Sequence, residues 1–241
     1  MSGHRVSFTY LSQEDLLQAG SLDIRMAMEV AEKAMLAFEA HSILFPEKIV
    51  QIFDQASQER INCLPATLLD EQVCGVKWVS VFPANPLRYG VQNLSAILIL
   101  SEIEKGFPIA VMDGTLASNM RVAAMGAIAA KHLARSNSEV IGFIGAGEQA
   151  KMHLLSMKVV RPVLKECRVA ARTAEEEQQF IAELSPLLPD MDFVAANTHG
   201  RAAIDGADIL VTATSAQAPL LKAAWMKPGA FYSHIGGWED R

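Results

Sequence analysis

One stretch constrains the fold of this 241-residue chain more than any other: Val140-Ile-Gly-Phe-Ile-Gly-Ala-Gly-Glu-Gln-Ala150. A short apolar strand runs there into a glycine turn and then into residues that favour a helix. Such a turn leaves backbone N–H groups open at a helix N-terminus, where a phosphate can sit over them. The spacing Gly145-x-Gly147-x-x-Ala150 fits the dinucleotide fingerprint, which accepts alanine in its third place. Gly145 permits the tight turn, Gly147 lets a pyrophosphate approach the backbone, and Ala150 lets the helix lie close to the strand. A second strand about 25 residues on strengthens the pattern. The bland alternative is the same turn in an α/β domain that binds no nucleotide.

The turn falls past the midpoint, so a substantial region of other structure precedes it. Apolar residues make up 51% of the chain and charged residues 20%, enough core material for one large domain or two ordinary ones. The net charge of -6 and the absence of a Lys/Arg run exclude the electrostatic footprint of a nucleic-acid partner or an anionic membrane surface. Cys63, Cys74 and Cys167 lack CxxC spacing and read as reduced thiols, which points to the cytoplasm. The segment Met1–Tyr10 has no apolar signal region, and runs such as Ala96–Leu100 are too short to span a bilayer. The histidines offer no ligand-spaced pair with a third ligand near, so no metal site is expected.

Ser12 and Asp15 form a capping-box pattern before a short helix, and Ser21 stands as the N-cap of a longer one reaching about His41. Strands are expected at Ile49–Phe53, Arg60–Leu64, Val73–Phe82, Ser95–Leu100 and Ile109–Met112, with turns at Pro83–Pro86, Gly90, Gly106 and Asp113-Gly114. This is an α+β domain with a mainly antiparallel sheet. Thr115 is placed to cap an alanine-rich helix running to about Ala134. The polar connector Arg135–Ser138 then sets the boundary between a domain at 1–135 and one at 136–241. Beyond it, strands at Val140–Ile144, Arg168–Ala171, Phe193–Ala195, Ile209–Thr214 and Ala230–His234 alternate with helices. That order predicts a parallel, doubly wound sheet of Rossmann type.

Three further positions bear chemistry. The second strand of this half ends Ala170-Ala171-Arg172-Thr173, with no acid before Glu175 to bind a ribose 2′-OH. Arg172 can pair with a 2′-phosphate and Thr173 can donate to it, which slightly favours NADP over NAD unless Arg172 is simply a solvated surface residue. Lys77 shares a strand face with Val73, Gly75, Val79 and Val81. A lysine on such a face has a charged partner or a task, or else its stem snorkels to the sheet edge. Arg121, two turns into the helix after Asp113-Gly114, suits a carboxylate or pyrophosphate as well as it suits an ordinary surface.

Four ordered motifs are together far more specific than the glycine loop: Lys77-Trp-Val-Ser-Val-Phe-Pro-Ala-Asn85, Gly106-Phe-Pro-Ile-Ala-Val-Met-Asp-Gly114, Arg121-Val-Ala-Ala-Met-Gly-Ala-Ile-Ala-Ala-Lys131 and Ile144–Ala150. In them the chain, from about Phe8 onward, resembles the ornithine cyclodeaminase/μ-crystallin family. The resemblance implies a homodimer with a substrate and dimerisation domain ahead of a Rossmann domain. It also implies an NAD(P)-dependent enzyme acting on a small amino acid or imine. Lys77 matches the family's active-site lysine, and Arg121 the arginine shared between substrate carboxylate and cofactor. Gly145, Gly147, Glu148 and Gln149 match the pyrophosphate loop. Thr212, Ser233, His234 and Ile235 match strand ends facing the nicotinamide.

The chain departs from the family's pattern in three places. Lys48 stands where an arginine often takes the substrate carboxylate, keeping the charge without the bidentate fork. Trp238 occupies the place of the cyclodeaminase aspartate, so Glu239 and Asp240 are the substitutes for its acid/base role. Ala-Arg-Thr replaces the acid of the NAD-using cyclodeaminases. The resemblance implies conversion of ornithine to proline and ammonia through an α-imine. The alternatives are an amino acid dehydrogenase or ketimine reductase, including a 2,3-diaminopropionate biosynthesis type, and a non-catalytic NADP-binding protein. Family members continue with further Rossmann structure and a C-terminal helical segment, so the strand series ending at His234 is expected to be cut short.

Overall fold

The computed structural model describes residues 5–236; Trp238, Glu239 and Asp240 lie outside the described residues. The chain divides into two compact units, Met1–Asp23 with Glu29–Met120 and Ile24–Met28 with Arg121–Arg241. The connector after Leu133, where the sequence sets the boundary, therefore falls inside the second unit.

The first unit begins with strand β1 (Thr9–Leu11) and helix α1 (Gln13–Gln18), whose start is the expected capping box between Ser12 and Asp15. Helix α2 (Ile24–Glu39), β2 (Ile43–Leu44), β3 (Ile49–Asp54), β4 (Glu59–Leu68) and β5 (Val73–Val81) follow. Then come α3 (Asn85–Tyr89), β6 (Leu94–Glu102) and β7 (Pro108–Asp113). The sheet runs β1-β7-β6-β5-β4-β2, with β3 also on β4, and every pairing is antiparallel except β1 with β7. The turn expected at Pro83–Pro86 feeds directly into α3, where proline occupies the first helical turn. β1 and β2 have only three and two residues. Runs so short carry no legible period.

Helix α4 (Thr115–Leu133) does not start as expected. The Asp113 carboxylate, not Thr115, accepts the Leu116 N–H at 3.0 Å, while the Thr115 hydroxyl accepts the Ala96 N–H at 2.9 Å and ties the helix start to β6. Its other end is closed by an unusual cap. The guanidinium of Arg161, a buried residue, donates to the carbonyls of Ala130, Lys131, Ala134 and Arg135. A helix end leaves its last carbonyls short of partners, and a cation there also opposes the helix dipole; the Ala130 carbonyl takes the Ala134 N–H as well, and the Arg135 carbonyl the Ser138 N–H.

The second unit continues with β8 (Val140–Ile144), α5 (Glu148–Val160), β9 (Glu166–Ala170), α6 (Ala174–Leu184) and β10 (Asp192–Ala195). It ends with α7 (Gly200–Ile204), β11 (Ile209–Thr212) and β12 (Phe231–His234). All five strands are parallel, in the order β10-β9-β8-β11-β12. Alternate strand residues feed two cores. Ile141, Phe143, Val169, Ile209 and Val211 pack with α5 and α6 residues, and Ile144, Ala170 and Leu210 pack with Ala203 and Ile204 of α7. This is the Rossmann-type α/β sheet expected from the sequence, covered on both faces.

His153 on α5 is fully buried, with Nδ1 2.7 Å from the Gln149 carbonyl oxygen, which makes Nδ1 the donor. Burial pushes its pKa below the ordinary value of 6.5, against the pull of that hydrogen bond. As pH falls through 6.5, the unfolded chain takes a proton that the folded chain refuses, so stability falls with pH until the lower folded value is reached. The unfolding free energy from urea titrations should therefore drop between about pH 7 and pH 5, by at most about 1.4 kcal/mol per pH unit from this one group. A His153→Leu variant should lose much of that slope; an identical slope in both proteins would remove His153 as its source.

Candidate cofactor and substrate sites

In the second unit the chain passes outward from β8 to β9 and β10, then crosses back to β11. The carboxyl ends of β8 and β11 therefore flank the point where strand order reverses, the place where such sheets bind ligands. Gly145 sits in that crotch with φ +106, donating its N–H to the Ala170 carbonyl at 2.8 Å. A Cβ on it would stand 2.3 Å from the Ala213 carbonyl oxygen. Gly147 is the N-cap of α5 with ordinary φ, no capping side chain, and open space where its Cβ would be. Uncapped N–H groups beneath open space suit a pyrophosphate. The Glu148 carboxylate is drawn to Lys151 at 2.8 Å, and Lys151 also reaches Glu183 at 2.5 Å. Burial opposes the Lys151 charge, but the two carboxylates outweigh it and hold its pKa above the ordinary value. Gln149 follows on the same first turn, and its backbone carbonyl receives His153.

At the end of β9, Arg172 is exposed and its guanidinium pairs with Glu176 at 2.5 Å; Thr173 is the N-cap of α6. A residue that the sequence reading passes over organises this corner. Glu177 is fully buried, and its carboxylate accepts the N–H groups of Ala171 at 3.0 Å, Asn197 at 3.0 Å and Thr198 at 2.7 Å. It holds Asn197 and Thr198 in left-handed conformations, with φ 51 and 63. Within the run Glu175-Glu-Glu177, nothing in the sequence distinguishes the inward acid from its solvated neighbours.

On the other side, Thr212 is buried and its hydroxyl lies 2.8 Å from the Tyr232 hydroxyl, across the β11–β12 pair. Ser233 is buried, His234 is exposed with its ring stacked at 6.1 Å on Tyr232, and the Ile235 N–H donates to the Thr212 carbonyl. These four sequence-predicted residues thus share one strand end, with Tyr232 as an unpredicted member.

In the first unit, Lys77 lies at the middle of β5, between Leu64 on β4 and Leu98 on β6, and Leu98 in turn faces Met112 on β7. Its ammonium donates to the Ser118 hydroxyl of α4 at 2.6 Å, and Ser118 is only 4% exposed. Ser118 was not legible, because a lone serine early in a helix looks like any polar first-turn residue. Lys48 immediately precedes β3, whose first residue, Ile49, pairs with Cys63 on β4. β3 and β5 both pair with β4, so Lys48 stands at the head of one flanking strand and Lys77 within the other. Lys48 also lines an open hollow of about 200 Å³ with Phe45, Pro46, Glu47, Leu64 and Pro65. Arg121 follows Ser118 by three residues on α4 and belongs to the second unit. Desolvation lowers its pKa, and the guanidinium stays charged at any ordinary pH.

The sequence pattern of the ornithine cyclodeaminase/mu-crystallin family matches residues 13–240. The chain belongs to this family. It is 32% identical to an alanine dehydrogenase of Archaeoglobus fulgidus, over 94% of this chain and 66% of that protein. It is 28% identical to an N-((2S)-2-amino-2-carboxyethyl)-L-glutamate dehydrogenase of Staphylococcus aureus, over 94% and 68%. The Δ1-pyrroline-2-carboxylate reductase of Thermococcus litoralis, solved with NADH and L-proline, superposes with a TM-score of 0.88 at 29% identity, over 94% of this chain and 68% of that one. An archaeal alanine dehydrogenase dimer with bound NAD gives 0.82 at 30%, over 93% and 66%. The chain thus spans about two thirds of the length of these relatives.

The two glycines should respond differently to alanine. Gly147→Ala should fold normally but bind a dinucleotide about tenfold or more weakly, because the methyl fills the phosphate's approach. Gly145→Ala should instead lose about 2 kcal/mol or more of stability through φ and the clash with Ala213. Chemical denaturation and NADH titration of both variants check this, and unimpaired binding by Gly147→Ala would refute the cradle.

Proposed function

We propose that this protein is an NAD(P)-dependent oxidoreductase that interconverts a small amino acid and its α-imine. The observation that carries the proposal is Lys77, an ammonium set in an apolar cross-strand row and anchored on the buried Ser118 hydroxyl. Its relatives support the class of reaction, since they include amino acid dehydrogenases and an imine reductase.

The Gly145–Gln149 turn, with the ends of β11 and β12, suits the cofactor, which when bound accepts or donates a hydride at nicotinamide C4. Lys77 and Lys48 are our candidates for the substrate carboxylate, and Arg121 for the carboxylate or the cofactor, the roles that the family resemblance implies. Lys77 has a second task at the substrate nitrogen, where oxidation to the imine releases a proton and reduction requires one. Water attack on the imine then completes a dehydrogenase reaction. In the cyclodeaminase reading, the δ-amine of ornithine attacks instead, ammonia leaves and the hydride returns, giving proline. Glu239 or Asp240 would accept the δ-ammonium proton there.

A screen of amino acids, cyclic imines and 2-oxo acids with ammonia against NADH and NADPH tests both readings. Steady change in cofactor redox state supports the dehydrogenase or reductase; proline formed from ornithine without net NADH selects the cyclodeaminase. Lys77→Met should lower kcat by about 10²-fold or more while NADH still binds. Undiminished turnover in that variant would eliminate Lys77 from the chemistry, and cofactor binding without any turnover would leave a binding protein.

We also propose a homodimer. Trp78, Ile97, Ile99 and Tyr10 share the sheet face opposite Lys77 and are 38%, 42%, 37% and 69% exposed. An apolar sheet face left open in this way suits burial against a second copy. Sedimentation equilibrium should show a dimer that Ile97→Glu dissociates; a wild-type monomer would overturn it.

A further inference from the structure

Arg172 and Thr173 are the groups that the strand end offers to a 2′-phosphate, and the first turn of α6 engages both. Glu176 lies four residues after Arg172 and grips it twice. One carboxylate oxygen takes the guanidinium at 2.5 Å, and the other accepts the Arg172 backbone N–H at 3.2 Å. The Thr173 hydroxyl accepts the Glu176 N–H at 3.3 Å, and the Glu175 backbone N–H and the Thr173 hydroxyl together hold the Glu175 carboxyl below the usual carboxylate range. Glu177, the third acid of the run, binds Ala171 and so fixes the backbone that leads into Arg172. A phosphate monoester carries close to two negative charges and three acceptor oxygens, with no proton to offer a carboxylate. At this corner it would have to displace Glu176 from Arg172 and then lie beside Glu175 and Glu176. A ribose with a free 2′-hydroxyl meets no such opposition and can donate to a carboxylate.

We propose that Glu176 sets cofactor choice, selecting NAD(H) over NADP(H) by holding the Arg172 guanidinium and by supplying the carboxylate that the end of β9 lacks. The inference rests on the dinucleotide reading above. It reverses the slight preference for NADP drawn from Ala171-Arg172-Thr173 alone, because that preference treats Arg172 as available. Glu176 is the specificity-determining group and Arg172 the group through which part of its effect passes.

The test is titration of the intact chain with NADH and NADPH, read by fluorescence, for the wild type, Glu176→Gln, Arg172→Ala and the double variant, with circular dichroism as the fold control. The wild type should bind NADH more tightly, and Glu176→Gln should move the affinity ratio towards NADPH by about tenfold. Because the effect is electrostatic at an exposed corner, the wild-type discrimination should shrink as salt is raised. The gain in NADPH affinity from Glu176→Gln should be smaller when Arg172 is absent, a coupling that the double-mutant cycle measures. A wild type that prefers NADPH, or a ratio that Glu176→Gln leaves unchanged, overturns the proposal while leaving dinucleotide binding intact. A strictly additive cycle overturns the role of Arg172. Failure of the wild type to bind either nucleotide overturns the dinucleotide reading itself, and the proposal with it.

Discussion

The second unit depends on one backbone position that tolerates no side chain. Gly145 closes the end of β8 with its N–H on the Ala170 carbonyl of β9, while the Ala213 carbonyl beyond β11 occupies the space a Cβ would need. Three neighbouring strand ends therefore meet at one residue whose φ of +106 suits glycine alone. Because β9 and β11 are tied to β8 there, the chain can leave the sheet and begin α5 directly above the crevice. The uncapped first turn at Gly147 follows from that geometry. Structure and binding capacity share a cause, so residues that shape the turn need not touch a ligand to matter.

Helix α4 carries a different kind of constraint. Its alanines Ala123, Ala124, Ala127 and Ala130 are fully buried, and side chains so small give little grip along the helix axis. Both ends are instead held by directional bonds: Asp113 and Thr115 at the start, and Arg161 on four carbonyls at the finish. Each set of bonds belongs to its own unit: Asp113 and Thr115 set the start that carries Ser118, and Arg161 closes the end in the second unit. Lys77 gains its anchor only because Ser118 is presented at the correct turn.

What the sequence made legible were features with a local signature. The glycine spacing, the five parallel strands and the lysine on an apolar face all follow from residue type and period. Strands as short as β1 and β2 have no period to read, and α7 joins the sheet through two buried residues, Ala203 and Ile204, that look like any small apolar pair. The acids at the head of α6 show the limit most clearly. Glu175, Glu176 and Glu177 are alike in sequence, but Glu177 is buried beneath three backbone N–H groups and Glu176 grips Arg172. Which way each points depends on the helix phase set by Thr173 and on the loop after β10. Neither is encoded within the run itself.

Dehydrogenase, imine reductase and cyclodeaminase reactions share their first requirement: a carboxylate fixed so that one Cα–H faces the nicotinamide. In the function proposed above, Lys77, Lys48 and Arg121 would answer that requirement, with Lys77 also serving the substrate nitrogen. The reactions part only after the imine exists, according to whether water or an internal amine reaches its carbon. An internal amine must first lose a proton, so the deciding group is a base near the substrate's far end rather than any residue holding the carboxylate. In this chain tryptophan stands at position 238, with Glu239 and Asp240 next in line. An indole cannot accept that proton. In the cyclodeaminase reading proposed above, that base is assigned to Glu239 or Asp240, whereas the dehydrogenase and reductase readings place no such demand on this segment.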